Sequence, residues 1–317
     1  MSEYSVLFPQ QPTDPHAIND FARLVTDHGL ARLWMGQSFT IESHVALAAM
    51  RQAGHAVPVG IGTALAALRT PYDAALSARS LAAVLDQPVS IGYGAADPGF
   101  VTSVRGAPLT RPAAYTAEYT RLVGELLRGG EVSSDMDGLR MRAQLPPLDH
   151  PVVEAGVGVL RPGMAARASE VADFVVTWLT PRNYVRDVLV PRLERADGTR
   201  PRVATHVHCA VRRPGRNPQL LTQVGCGNHL AREHYSDMLR RAGLDVHASD
   251  PVSGARELVS AGVVLYGSAS EIVDQLRTFA DYGVDEVIVN ITAVALTYGN
   301  EDALADLHEI CTELKRG

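Results

Sequence analysis

Two short stretches combine residue types that can do chemistry. Gly156-Val-Gly-Val-Leu-Arg-Pro-Gly163 follows an apolar run and precedes a segment with helical spacing. A backbone without Cβ atoms can approach a ligand closely and aim N–H groups at an anion, helped by the dipole of the following helix and by Arg161. A βα turn that binds nothing would read the same, and the spacing of Gly156 and Gly158 with Pro162 departs from the nucleotide fingerprint G-x-G-x-x-G. His206-Val-His208 places two imidazoles on one face of a strand, where they could share a metal or simply pack against polar partners. With no third ligand nearby in sequence, no metal is expected. Cys226-Gly-Asn-His229 reads as loop, no G-x-S-x-G elbow supports a serine hydrolase, and Glu257, Glu271, Asp274 and Asp281 fall on helix faces expected to be solvated.

Elements must position these residues. Apolar, β-rich runs recur at Tyr4–Phe8, Arg32–Met35, Val57–Ile61, Val89–Tyr93, Pro151–Ala155, Phe174–Trp178, Val203–Val211 and Val287–Ile291. They are separated by helical segments, and their near-continuous apolar character suits strands covered on both faces. Eight parallel βα units close an α/β (β/α)8 TIM barrel. Asp14 with Pro15 predicts a helix start that runs to Gly29; Pro71 to Leu85, and Ser268 to Gly283, read as further helices. Two stretches break the rhythm, a hairpin-like one from Arg128 to Pro147 and a mostly helical one from Arg213 to Val264, both expected as insertions at the C-terminal mouth. With no linker and no internal repeat, residues 1–317 read as one domain.

In such a barrel the working residues lie at the C-terminal ends of the strands. That rule selects Gln10, Gln37 with Ser38, the corner Gly62-Thr63-Ala64-Leu65, the turn from Gly92 through Tyr93 and Gly94 to Asp97, the 156–163 loop, Trp178 with Thr180, His206 or His208, and Asn290 with Thr292.

Composition narrows the class. The chain is 46% hydrophobic, with a net charge of −6 and a pI near 6.0, which argues against a nucleic-acid groove or an anionic membrane surface. No apolar run is long enough to cross a bilayer and the start lacks the pattern of a signal peptide, so a cytoplasmic location is expected. Cys209, Cys226 and Cys311 are too few and too scattered for a disulfide framework. Of 29 basic residues only Lys315 is lysine, as in high-GC genomes.

The ordered set Val59-Gly-Ile-Gly-Thr-Ala-Leu65, Arg69-Thr-Pro71, Ala78-Arg-Ser-Leu81 and Gln87 through Asp97 resembles the luciferase-like flavin and F420 oxidoreductase superfamily. Tyr119 through Val132 with Gly138-Leu-Arg-Met141, then Gly163 through Asp173, Tyr266 through Leu276 and Tyr282 through Val287 extend the resemblance over nearly the whole chain. The resemblance implies a barrel whose mouth holds F420 or FMN, with the phosphate on 156–163 and the ring backed by Gly62, Thr63, Ala64 and Leu65. Ala64-Leu65 is the expected cis peptide. Gly94, Asp97, Gly156, Val157, Gly158, Val159, Arg161 and Trp178 complete the implied cofactor set; Gln37, Tyr93, His206 and His208 are the candidates for catalysis. Gln37 departs from the histidine or aspartate common there in relatives, and the phosphate loop is spread out relative to theirs.

The reaction expected on this basis is F420H2-dependent hydride transfer to an activated C=C, C=N or C=O bond of a small molecule or modified peptide, such as dehydroalanine. An FMN-dependent monooxygenase and a non-catalytic member are the alternatives. A homodimer is implied by the family alone.

Overall fold

The computed structural model describes residues 2–316. Among the described residues there are eleven strands: β1 Glu3–Leu7, β2 Leu33–Met35, β3 Val59–Leu65, β4 Val89–Gly94, β5 Val132–Ser134, β6 Met141–Ala143, β7 Val153–Gly158, β8 Phe174–Trp178, β9 Arg202–Val211, β10 Val264–Gly267 and β11 Glu286–Asn290. Eight of them form a closed parallel ring in the order β9-β11-β1-β2-β3-β4-β7-β8, with β8 pairing back onto β9. The TIM barrel expected from the sequence is therefore present. β5 and β6 form the separate antiparallel hairpin expected between Arg128 and Pro147.

β10 was not anticipated. His208 pairs with Asn290 of β11 and with Val264 of β10, so these strands flank β9 on opposite edges. β8 ends at Trp178, opposite His206, and β10 takes over the same edge of β9 above it. The long β9 thus carries its C-terminal half beyond the ring and supports the second insertion. That insertion is helical, as expected, with helices Pro218–Leu230, Glu233–Arg241 and Pro251–Ser260.

Helix punctuation follows the local chemistry. Thr70 caps Pro71–Leu85 with proline in the first turn, and Ser268 with Glu271 forms a reciprocal capping box at Ala269–Thr278. Asp14 does not start the first helix. Its carboxylate accepts the His16 N–H and its carbonyl the Ala17 N–H, which makes a turn, and the helix begins only at Asn19 before ending at Gly29 as expected.

Alternate residues of each strand point into the ring, and they sort into layers. At the N-terminal end lies a charged layer. Glu286 is fully buried, accepts hydrogen bonds from Ser5 Oγ at 2.5 Å and Trp34 Nε1 at 2.6 Å, and pairs with Arg32 at 3.0 Å and with Arg202. Arg202 also reaches Glu154 at 2.6 Å. Above it Leu7, Trp34, Phe174, Val176, Ala204 and Ile288 form an apolar layer distinct from the core beneath the helices.

This layer explains the glycines. A Cβ on Gly60 would stand 2.4 Å from the Trp34 ring, and one on Gly156 would stand 2.5 Å from the Phe174 ring. Large aromatics from β2 and β8 fill the barrel because β3 and β7 present no side chain there. Gly156→Ala is expected to lower stability by about 1–3 kcal/mol through overpacking, read as a lower denaturant midpoint. Adding Phe174→Leu should recover part of the loss; an unchanged midpoint for the single variant would contradict the packing.

Candidate active site

At the C-terminal mouth the expected phosphate loop is corrected. Gly156, Val157 and Gly158 are not loop residues but the last residues of β7, paired with β4 and β8, and the Val159 N–H donates to the Val176 carbonyl at 2.9 Å. Glycine there answers the need for close packing, since a Cβ on Gly158 would meet the Thr63 methyl at 2.9 Å. What remains as a loop is Val159–Arg161. Helix Pro162–Val171 follows, and its N-terminus carries no side-chain cap. Arg161 beside it pairs with Asp237 at 2.8 Å.

The β3 corner is irregular, as expected, but the cis peptide is Gly62-Thr63 rather than Ala64-Leu65, and the register with β4 shifts between Gly62 and Ala64. Thr63 points inward, against the space where Gly94 and Gly158 lack side chains. Two other mouth residues, Ala96 after β4 and Leu179 after β8, have left-handed φ values of 67° and 54°. Such conformations cost of order 1–3 kcal/mol each and cluster at functional sites.

The four catalytic candidates separate once their partners are visible. The Gln37 amide is engaged at both ends: its carbonyl accepts the Leu65 N–H at 3.2 Å and its NH2 donates to the Ser38 carbonyl at 2.9 Å. It clasps the end of β2 to the β3 corner. Tyr93 lies on the outward face of β4, against Tyr119 with ring centroids 5.1 Å apart, and burial raises its phenol well above the ordinary range. It holds its proton and faces the helices, not the mouth.

His208 is buried with both nitrogens occupied. Asn290 Oδ1 accepts the Thr292 N–H at 2.9 Å, which leaves Asn290 Nδ2 to donate to His208 Nε2 at 3.2 Å. Nδ1 must then carry the proton, and it faces Cys226 Sγ at 3.7 Å. A Cys-His-Asn arrangement is present, but this tautomer cannot take a proton from the thiol, and burial pushes the thiol pKa up.

His206 differs. It is 3% exposed, and neither ring nitrogen has a partner. It points inward near Gly62, with Trp178 at 4.7 Å between ring centroids and Trp34 at 6.3 Å. The Trp178 indole N–H is likewise buried and unpartnered. Burial lowers the pKa of His206 and of His208 to about 3 and that of His229 to about 4, with neighbouring positive charge acting in the same direction. All three are neutral at pH 7.

This neutrality makes stability depend on pH. A histidine kept neutral in the fold binds fewer protons than in the unfolded chain, so stability falls as pH drops below 6.5 and goes on falling until the folded value near 3 is reached. Each contributes at most about 1.4 kcal/mol per pH unit in that window. The urea midpoint is expected to be level above pH 7 and to fall from pH 6.5 to 4; a level profile down to pH 4 would contradict the buried neutral cluster.

The insertion roofs the mouth. Helix Pro218–Leu230 brings His229 against Trp178 at 5.1 Å. Arg232 pairs with Asp97 at 3.0 Å, and Asp237 on helix Glu233–Arg241 holds Arg161. Asp97 is thus a rim anchor. It also caps helix Pro98–Arg105 by accepting the Gly99 and Phe100 N–H groups.

A second cluster escaped the sequence reading. Glu42 accepts from the His44 ring at 2.8 Å and pairs with Arg69 at 2.9 Å, beside Ala64 and Leu65. Burial raises the Glu42 pKa, but these partners outweigh it and bring it to about 2. The only local signal was an acid just before a helix start.

With this geometry in place, a family comparison is decisive: the luciferase-like monooxygenase family matches residues 4–286. The chain belongs to the luciferase-like family. No curated protein sequence matches the chain. Among solved structures, this luciferase-like chain is similar to a coenzyme F420-dependent tetrahydromethanopterin reductase from Methanopyrus kandleri, with TM-score 0.72 and 15% identity over 99% of both chains. An F420-dependent secondary alcohol dehydrogenase in complex with an F420-acetone adduct gives 0.70 and 15% over 98% of this chain and 99% of that one. The oxygenating constituent of 3,6-diketocamphane monooxygenase from Pseudomonas putida, in complex with FMN, gives 0.70 and 12% over 99% and 98%. At these identities the similarity speaks for the fold.

Among the described residues no helix is long and apolar enough to cross a membrane. No group of three His, Cys, Asp or Glu among them is placed to hold a metal ion.

Proposed function

We propose that the chain is an F420H2-dependent oxidoreductase that delivers a hydride to an activated C=C, C=N or C=O bond of a small molecule or modified peptide held at the barrel mouth. The observation that carries this reading is the pair of unpartnered groups, His206 and the Trp178 indole N–H, buried side by side inside the mouth. Hydride addition to a polarised double bond leaves negative charge on its far heteroatom. Neutral N–H donors fixed in a water-poor site stabilise that charge without reorganising as it forms. Of the four candidates named from the sequence, His206 alone keeps a free nitrogen there.

The residues also suit the cofactor. The uncapped start of helix Pro162–Val171 with Arg161 would hold its phosphate, Arg161 exchanging or sharing its bond to Asp237. The Gly62–Leu65 corner would back its ring, and the helical roof would exclude water. When bound, the reduced deazaflavin supplies the two-electron hydride. The choice of F420 is supported by two of the structural neighbours, which work with it, and by the arginine-rich, lysine-poor composition. The FMN-bound neighbour supports the monooxygenase as second reading.

Fluorescence titration of the purified protein with F420 and with FMN separates these. F420 is expected to bind at least about tenfold more tightly, a difference of about 1.4 kcal/mol. Tighter binding of FMN would overturn the reading in favour of oxygen chemistry, and binding of neither would leave the non-catalytic member.

A further inference from the structure

Outside the barrel, beside the mouth, a cavity of about 420 Å³ opens between the turn after β3, helix Pro98–Arg105 and the tip of the hairpin. Its floor is apolar and well packed: Tyr115 and Leu139 are 5% and 3% exposed. The charged groups that line it are all cationic. Arg69, Arg105 and Arg140 all line it, in a chain whose net charge is −6.

The three guanidiniums are not equally neutralised. Arg69 is held by Glu42 at 2.9 Å and Asp73 at 3.0 Å. Arg140 has one carboxylate, the fully solvated Asp137, at 3.7 Å. Arg105 has no carboxylate within 4.0 Å among the described residues; it donates to the Tyr115 hydroxyl at 2.7 Å and lies 5.6 Å from the centre of that ring. Arg105 is thus fixed in direction by a neutral partner while its charge stays unopposed. A preorganised guanidinium over an apolar floor suits a planar or tetrahedral oxyanion carried on an apolar body.

The geometry points to a second ligand site here, for a small organic carboxylate or phosphate with an aromatic or apolar body, its oxyanion on Arg105 and Arg140 and its body on Tyr115 and Leu139. Arg69 lines this cavity and also the narrow one that contains Gln37, Ala64 and Leu65, so the site adjoins the mouth through a shared side chain. It does not depend on which cofactor the barrel takes.

Calorimetric titration of the intact protein at low salt with benzoate, phenyl phosphate, inorganic phosphate and benzyl alcohol tests this. At least one of the two aromatic anions is expected to bind, and the tighter one tells whether carboxylate or phosphate is preferred. Benzyl alcohol and inorganic phosphate should each bind about tenfold more weakly or worse, for want of charge or of body. Arg105→Gln, at an exposed position, should weaken the aromatic anion by about tenfold or more while leaving the melting temperature and the affinity for F420 or FMN unchanged. The inference is overturned by no binding of either aromatic anion up to about 10 mM, which is only about 2.7 kcal/mol of affinity. It is equally overturned by matching affinity for benzyl alcohol or inorganic phosphate, or by an Arg105→Gln variant that binds like the parent.

Discussion

His206→Ala is expected to lower the turnover of reduced F420 with an activated enone by about 10²–10³-fold, the usual loss when one donor to a developing oxyanion is removed. The imidazole is buried between Trp178 and Trp34 with both nitrogens free, so deletion leaves the Trp178 indole N–H as the remaining member of the donor pair. The loss should fall on kcat more than on the affinity for cofactor, and His206→Asn, which restores an N–H, should recover part of it. His208→Asn is the contrast, because that imidazole is tied to Asn290 and Cys226 and acts through packing. Steady-state kinetics decide: a loss of less than about tenfold in kcat for His206→Ala removes this residue from the chemistry.

The largest stability effect is expected at the opposite end of the barrel. Glu286 is fully buried and meets Arg32, Arg202, Ser5 and Trp34 at once, so Glu286→Ala leaves two guanidiniums with only the half-buried Glu154 as shared counter-charge. Removing one partner of a buried pair costs about 3–5 kcal/mol. Urea unfolding should show a drop of that size, and Glu286→Gln, which keeps one acceptor oxygen for Ser5 and Trp34 but loses the charge and the bond from Arg202, should show a smaller one. A change below about 1 kcal/mol for Glu286→Ala would mean that the layer is solvated, with the value expected of an exposed pair.

The barrel was legible because its strands are apolar on both faces and return at the spacing of βα units. β10 was not, since Val264–Gly267 is short, lies at the end of a helical insertion and gains its partner only because β9 outruns β8. The placement of Gly156 and Gly158 in a loop failed for a physical reason. Glycine in a strand and glycine in a loop look alike in one dimension, and what decides is the bulk facing them, here Phe174 and Thr63. The pairs Gly60/Gly62, Gly92/Gly94 and Gly156/Gly158, each at period two on β3, β4 and β7, are the strand signature in hindsight.

At the site, sequence placed His206, His208 and Trp178 at the mouth but could not rank the two histidines. Their difference lies in hydrogen bonds from residues 82 and 18 positions away. The rim pairs Arg232–Asp97 and Arg161–Asp237 and the Glu42–His44–Arg69 cluster were invisible for the same reason: each joins elements that only the closed ring brings together.

The most direct measurement is a crystal structure of the protein with F420 bound. The predicted result has the deazaflavin ring on the Gly62–Leu65 corner beneath the helical roof, His206 and Trp178 facing the reacting side, and the phosphate at the start of helix Pro162–Val171 beside Arg161. A ring bound elsewhere, or a phosphate on a different rim segment with Arg161 still held by Asp237, would contradict it.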